Sequence, residues 1–161
     1  MLLAYAHAVM AGMDEAWGYL SEVFELADAH FWPPEHGLYA DEARADWTTL
    51  DPPSGAERQH AHVRSAYTAF EATNDAHYLQ RAEIFARHVT GRQAALAGGL
   101  VWEHYRSDWS VDWDYNKGEK NNLFRPWGFQ RGHLTEWAKL LLILERHTDQ
   151  LVGGGDWLVP R

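Results

Sequence analysis

Apolar side chains return at helical spacing in five separate stretches of the chain. Residues 2–11 form the first, with Gly12 as its stop. A second helix is expected from Asp14, as its cap, through about His30. Its period is carried by Trp17, Leu20, Val23, Phe24, Ala27 and Phe31, and Pro33 and Pro34 end it. The third spans about 59–73, with Val63, Ala66, Tyr67 and Phe70 on one face, until Asn74 and Asp75 break it. Asp75 can cap a fourth, about 76–96, which buries Leu79, Ala82, Phe85, Ala86, Val89 and Ala94 and stops at Gly98 and Gly99. The fifth, about 132–147, holds an unbroken apolar run from Leu140 to Leu144, which predicts burial on nearly every side.

Between these helices lie two long, aromatic-rich connections, 32–57 and 99–131. Connections of that length in a compact domain usually carry function. The first contains Gly37-Leu38-Tyr39-Ala40, which reads as a short strand. In the second, Gly99–Tyr105 alternates enough for a strand, and Asp108–Asn116 can pair with it as a short β-hairpin or curl into the site. Helix, short turn, helix, long loop is a rhythm that recurs, as stacked helical hairpins would show. The expected class is all-α, in one domain over 1–161.

Composition narrows the function. The 161 residues carry a net charge of −9, which argues against nucleic acid and anionic membrane surfaces as partners. The chain has no cysteine, so disulfides, thiolate catalysis and Cys-based zinc sites are out. Nine Trp, seven Tyr and six Phe must fill a core or line sites for flat or sugar-like ligands. No apolar run reaches the roughly 18 residues that would span a membrane, and the first residues lack the basic region of a signal peptide. A cytoplasmic protein is expected.

Titratable groups gather at the mouth of the fifth helix. His133 and Glu136 are three apart on one face of its first turn, where a histidine can serve as general acid or base and a carboxylate can tune it. The same two residues also suit an ordinary helix start with an exposed imidazole. His60 and His62 open the third helix; an i, i+2 pair points about 200° apart, so a shared metal is not expected and one ring should face the core or a site. Asp112–Gly118 resembles the start of a calcium loop, but its glycine is one position late and Leu123 stands where the closing Glu belongs. Arg125, between Phe124 and Pro126, suits either a buried ion pair or a hydroxyl-binding role. No phosphate-binding glycine motif and no Gly-x-Ser-x-Gly occurs.

Residues 30–52, 60–82, 99–116, 124–147 and 156–161 together resemble the N-acylglucosamine 2-epimerase superfamily, and within it the sugar aldose–ketose isomerase branch that includes the mannose isomerases. The most specific element is Gly132-His133-x-x-Glu136-Trp137, with Phe124-Arg-Pro-Trp-Gly128 upstream. The resemblance implies a segment of an (α/α)6 barrel, about five helices of some twelve, without cofactor or metal for the proton transfer. It also implies that histidines at inner-helix ends move a proton between C1 and C2 of an open-chain sugar through a cis-enediol. His133 and Glu136 match the family's histidine and its carboxylate partner. His62 matches the histidine of an asparagine-rich Asn-x-Asn-Met-His motif, and Arg125 and Trp127 match the loop at the sugar site. The asparagine-rich lead-in is Arg58-Gln59-His60-Ala61 here, Ser65 replaces the usual Glu, and Arg131 replaces the usual Pro. A further family histidine, near the end of the full barrel, has no counterpart in this chain.

The resulting expectation is a sugar isomerase of mannose/fructose type acting on a monosaccharide, with His133, Glu136 and His62 as catalytic groups and Arg125 and Trp127 binding substrate. A 2-epimerase of a free sugar or disaccharide is the alternative within the same chemistry. A catalytically inactive helical module that self-associates through exposed apolar faces, as a homo-oligomer, is the alternative outside it.

Overall fold

The structure, a computed structural model, describes residues 1–40, 42–47, 50–51, 59–106, 108–119 and 121–152. Helix α1 (Leu2–Met10) and helix α2 (Ala16–Phe31) form a first hairpin. Helix α3 (Gln59–Thr73) and helix α4 (Ala76–Ala86) form a second. Without a break α4 runs into a π-helical stretch, Arg87–Gln93, and the short α5 (Ala94–Leu96). The last helix is α6 (Arg131–Val152). Helix α3 has α1 on one flank and α6 on the other, while α4 packs on both α3 and α6. The second hairpin therefore stacks on the first, as the sequence rhythm predicts.

The apolar period decides which faces meet. Leu20 and Phe24 of α2, Val63, Ala66 and Phe70 of α3, Leu79, Ala82 and Phe85 of α4, and Leu140 and Leu144 of α6 are all buried. Removing a side chain of that size from water is worth roughly 1.5–3 kcal/mol each. The turn between α3 and α4 follows its sequence: Asn74 adopts φ +58°, and the Asp75 carboxylate accepts from the His77 backbone N–H at 2.9 Å. Between α2 and α4, Arg81 grips Asp28 through two bonds of 2.6 and 2.7 Å, and its guanidinium lies 3.8 Å from the Trp32 ring centroid.

Several expectations are corrected. The Asp14 side chain does not cap α2, which begins after Glu15 with no side-chain bond to its free N–H groups. Trp17 is exposed, although Leu20 and Phe24 of the same helix are buried. Gly37–Ala40 is not a strand; Leu38, Tyr39 and Ala40 are buried as irregular chain, held where the buried Gln59 amide donates to the Tyr39 carbonyl at 2.8 Å. The short antiparallel pair in the first connection is instead β1 (Glu42–Ala43) with β2 (Leu50–Asp51). Among the described residues, the hairpin expected in the second connection reduces to one bridge, Tyr105 with Val111. Helix α6 is not buried all round: Leu140 and Leu144 face the core while Leu142 is 62% exposed, so the run is one half of an amphipathic helix.

The π-helical stretch is what positions both long connections. A π-turn is rare and widens the helix locally, and here it spreads three polar side chains towards the loops. His88 bonds through Nδ1 to the Gly37 carbonyl at 2.9 Å, and Arg92 donates to the His36 carbonyl at 2.7 Å. Gln93, buried, donates to the Trp109 carbonyl of the second connection at 3.1 Å. At Gly37 the backbone has φ +64° and an added Cβ would lie 1.8 Å from the His88 ring, so only glycine fits both the conformation and the approach.

Candidate active site

The second connection is assembled upward from its own polar side chains. The Asn122 side chain accepts from the backbone N–H groups of Phe124 and Arg125, at 3.1 and 2.9 Å, which curls the chain before Pro126. The Asn116 amide donates to the Arg125 carbonyl at 2.8 Å, and the Trp127 indole N–H donates to the Trp113 carbonyl at 2.6 Å. His104, buried, stacks on Tyr115 and bonds through Nε2 to the Pro126 carbonyl at 2.9 Å. These ties hold the loop before α6 over Trp102, Glu103 and His104, and so bring the first turn of α6 onto Glu103.

At that junction His133 Nδ1 lies 2.9 Å from Glu103 Oε2. The Glu103 side chain is 3% exposed and the His133 ring 37%. A buried carboxylate accepts, so Nδ1 carries the proton of this bond and Nε2 is the nitrogen left to exchange one. His60, at the start of α3, faces the same ring: the two imidazole centroids are 4.7 Å apart with planes tilted by 33°. Glu136, one turn along α6, stands with Oε2 3.5 Å from His60 Nε2. Glu103, His104 and His133 line a pocket of about 130 Å³ with Phe124, Pro126 and Gln130. Next to it, burial pushes the Tyr105 hydroxyl well above the ordinary tyrosine range, so that group stays a neutral phenol.

The expected site residues are thus only partly brought together. His133 is central, but its carboxylate partner is Glu103, and Glu136 meets His60 instead. His62 stands apart from this cluster: it is edge-on to Tyr39 at 4.9 Å and stacked against Phe85 at 5.8 Å, beside a separate, mostly apolar pocket of about 450 Å³. Arg125 reaches towards the Tyr115 hydroxyl at 3.5 Å, and the Trp127 ring packs on Trp102. Sequence reasoning missed Glu103, and of the histidine pair it assigned His62 rather than His60 to the site. The signal for Glu103 was a carboxylate set among Val101, Trp102 and Tyr105 in an otherwise apolar run, a burial that demands a partner. The signal for His60 was the histidine pair itself, of which one member had to face inward.

Comparisons with known proteins identify the family and the fold. A D-mannose isomerase of Marinomonas mediterranea is 42% identical over the whole chain, which spans 40% of that protein's length. D-mannose isomerases of Pseudomonas cannabina pv. alisalensis and Thermobifida fusca are 35% and 34% identical over 89% and 90% of the chain, and it covers 34% and 36% of them. A crystal structure of D-mannose isomerase superposes with a TM-score of 0.87 at 44% identity, over 91% of this chain and 38% of that one. The chain therefore spans about 40% of the length of the first of these relatives and forms a segment of their α/α toroid. A family model described as N-acylglucosamine 2-epimerase (GlcNAc 2-epimerase) matches residues 1–159, and the chain belongs to that family.

Proposed function

We propose that this chain carries part of an aldose–ketose isomerase site of mannose/fructose type, with His133 as its proton-transfer group. The observation that carries the reading is the bond between His133 Nδ1 and the buried Glu103 carboxylate, because it orients a base whose second nitrogen can exchange a proton. In the forward direction His133 removes the C2 proton of an open-chain aldose. The C2–H electrons form the C1=C2 bond of a cis-enediol, and the C1 carbonyl oxygen takes up a proton. Return of a proton to C1, with loss of the proton on O2, leaves a ketose. Arg125 and Trp127 are the groups we assign to the sugar hydroxyls and chain. Glu136 acts through His60, and His62 is left out of the proton-transfer set because it lies with Tyr39 and Phe85.

A 2-epimerase begins with the same C2 deprotonation, and the family description favours keeping it as the second reading. Products separate them: a ketose from one, the C2 epimer from the other. A third reading is a silent module that self-associates through exposed apolar residues such as Leu142.

The test is incubation of the protein with D-mannose in D2O, with product analysis and deuterium incorporation read by NMR. The isomerase reading expects ketose with deuterium at C1, a rate unchanged by a chelator, and a loss of about 10²–10⁴ in His133→Ala. Near-normal conversion by that variant overturns the assignment. An inactive wild-type protein that sediments as a clean dimer overturns it in favour of the silent module.

A further inference from the structure

We propose that His60 is a positioning residue for His133, and that the two imidazoles bind protons as one coupled pair rather than independently. This rests on His133 being the proton-transfer group, but on nothing else in the isomerase reading.

The geometry is that of a four-membered row: Glu136, His60, His133, Glu103. The ends of the row are carboxylates, 3.5 Å from one ring and 2.9 Å from the other, and the two rings face each other at 4.7 Å. Each carboxylate favours the protonated form of its own histidine. Two imidazolium charges at that separation repel, so the row holds a first proton readily and a second one less so. Glu136 is the group that draws charge onto His60. It shares a cleft of about 300 Å³ with Arg64 of α3 and Lys139 of α6, the cations that moderate its pull. Trp137 also faces the His60 ring, edge-on at 6.5 Å. With His60 charged, His133 is disposed to be neutral and able to accept a proton; when His133 accepts one, His60 is the imidazole that faces it and can give one up. The row is built from α3, α6 and the second connection, so the packing of α3 on α6 sets the spacing on which the coupling depends. His62, two residues along α3, faces Tyr39 and Phe85 and does not belong to it.

The experiment is a pH titration of the histidine ring signals by ¹H–¹⁵N NMR on the protein as it stands, in wild type and in His60→Gln, His62→Gln and Glu136→Gln. His60→Gln removes a neighbouring positive charge and leaves both carboxylates, so the His133 midpoint should move up by roughly half a pH unit or more. His62→Gln should leave it in place. Glu136→Gln should lower the His60 midpoint, and His60→Asn serves where His60→Gln fails to fold, as judged by near-UV circular dichroism. A His133 midpoint unchanged or lowered in the folded His60 variant overturns the inference, as does an equal shift in His62→Gln. Because the readout is ring titration, absence of isomerase activity leaves it intact. Coupled titration without conversion of sugar fails the function and keeps the pair, and conversion with independent titration does the reverse.

Discussion

Glu103 and His133 come from segments 30 residues apart and meet through a single bond of 2.9 Å, with the carboxylate almost wholly out of solvent. A buried carboxylate is costly unless paired, and the imidazole supplies the partner. Orientation of the ring is the other half of the exchange, since rotation about the Cβ–Cγ bond would break it.

Glu103→Gln keeps the size and removes the charge. An amide can present its oxygen or its NH2 group to Nδ1, so the ring loses both its fixed tautomer and its electrostatic support. Carboxylates that orient a metal-bound histidine are worth on the order of 10- to 100-fold in activity, and the same orienting role sets the scale expected here. The expected outcome is a fall of that size in kcat for sugar conversion, with KM little changed. A variant with wild-type kcat would show that Glu103 only satisfies burial.

Much of the fold was legible because helix periodicity is a statement about burial. Val63, Ala66, Tyr67 and Phe70 follow one another at spacings of three and four, and all four are buried. Asp75 is a cap because its carboxylate reaches a backbone N–H two residues on, which is local. What was not legible depends on distant partners. Leu142 looks as apolar as Leu140, and only the packing of α6 on α3 and α4 decides which of them faces water. The π-helical stretch has no local signature of its own. It coincides with His88, Arg92 and Gln93 finding carbonyls at positions 37, 36 and 109. The site divides the same way. His133 stood out through its motif, whereas Glu103 and His60 acquire meaning only once α3, α6 and the second connection are folded against one another.

Gly37→Ala tests the anchor of the first connection. The methyl would need to occupy space 1.8 Å from the His88 ring and to accept φ +64°. Strain at such a position costs of the order of 1–3 kcal/mol, and displacing the ring also breaks its 2.9 Å bond to the Gly37 carbonyl. Chemical denaturation should show the loss. His88→Ala should be milder, and the double variant should be less destabilised than the sum of the two, since the clash disappears with the ring. Strict additivity would place the cost in the backbone alone.

Alkaline pH should destabilise the fold through its buried tyrosines. Burial, and then the hydrogen bond its hydroxyl makes to Asp28, raise the Tyr39 phenol far above its ordinary value. Burial raises Tyr105, Tyr67 and Tyr78 in the same direction. The sign follows from which state holds the proton. In the unfolded chain these phenols ionise near pH 10, whereas in the folded chain they remain protonated beyond it, so above that pH the folded state binds more protons. Stability is therefore fully present below about pH 10 and falls as the pH rises beyond it. Tyr39 adds a specific handle, because its hydroxyl donates to Asp28 Oδ1 at 2.5 Å and Asp28 in turn holds Arg81. Tyr39→Phe removes the titrating group and one of the bonds to Asp28. It should lower stability at neutral pH by about 0.5–1.5 kcal/mol, more if Asp28 is left short of partners, and should flatten the decline above pH 10. Urea midpoints measured from pH 8 to 11, with phenolate absorbance followed in parallel, check both parts. If Tyr39 ionised together with the exposed tyrosines before any unfolding, the burial argument would fail. If Tyr39→Phe kept the wild-type slope, the alkaline decline would belong to Tyr105 and the other buried phenols.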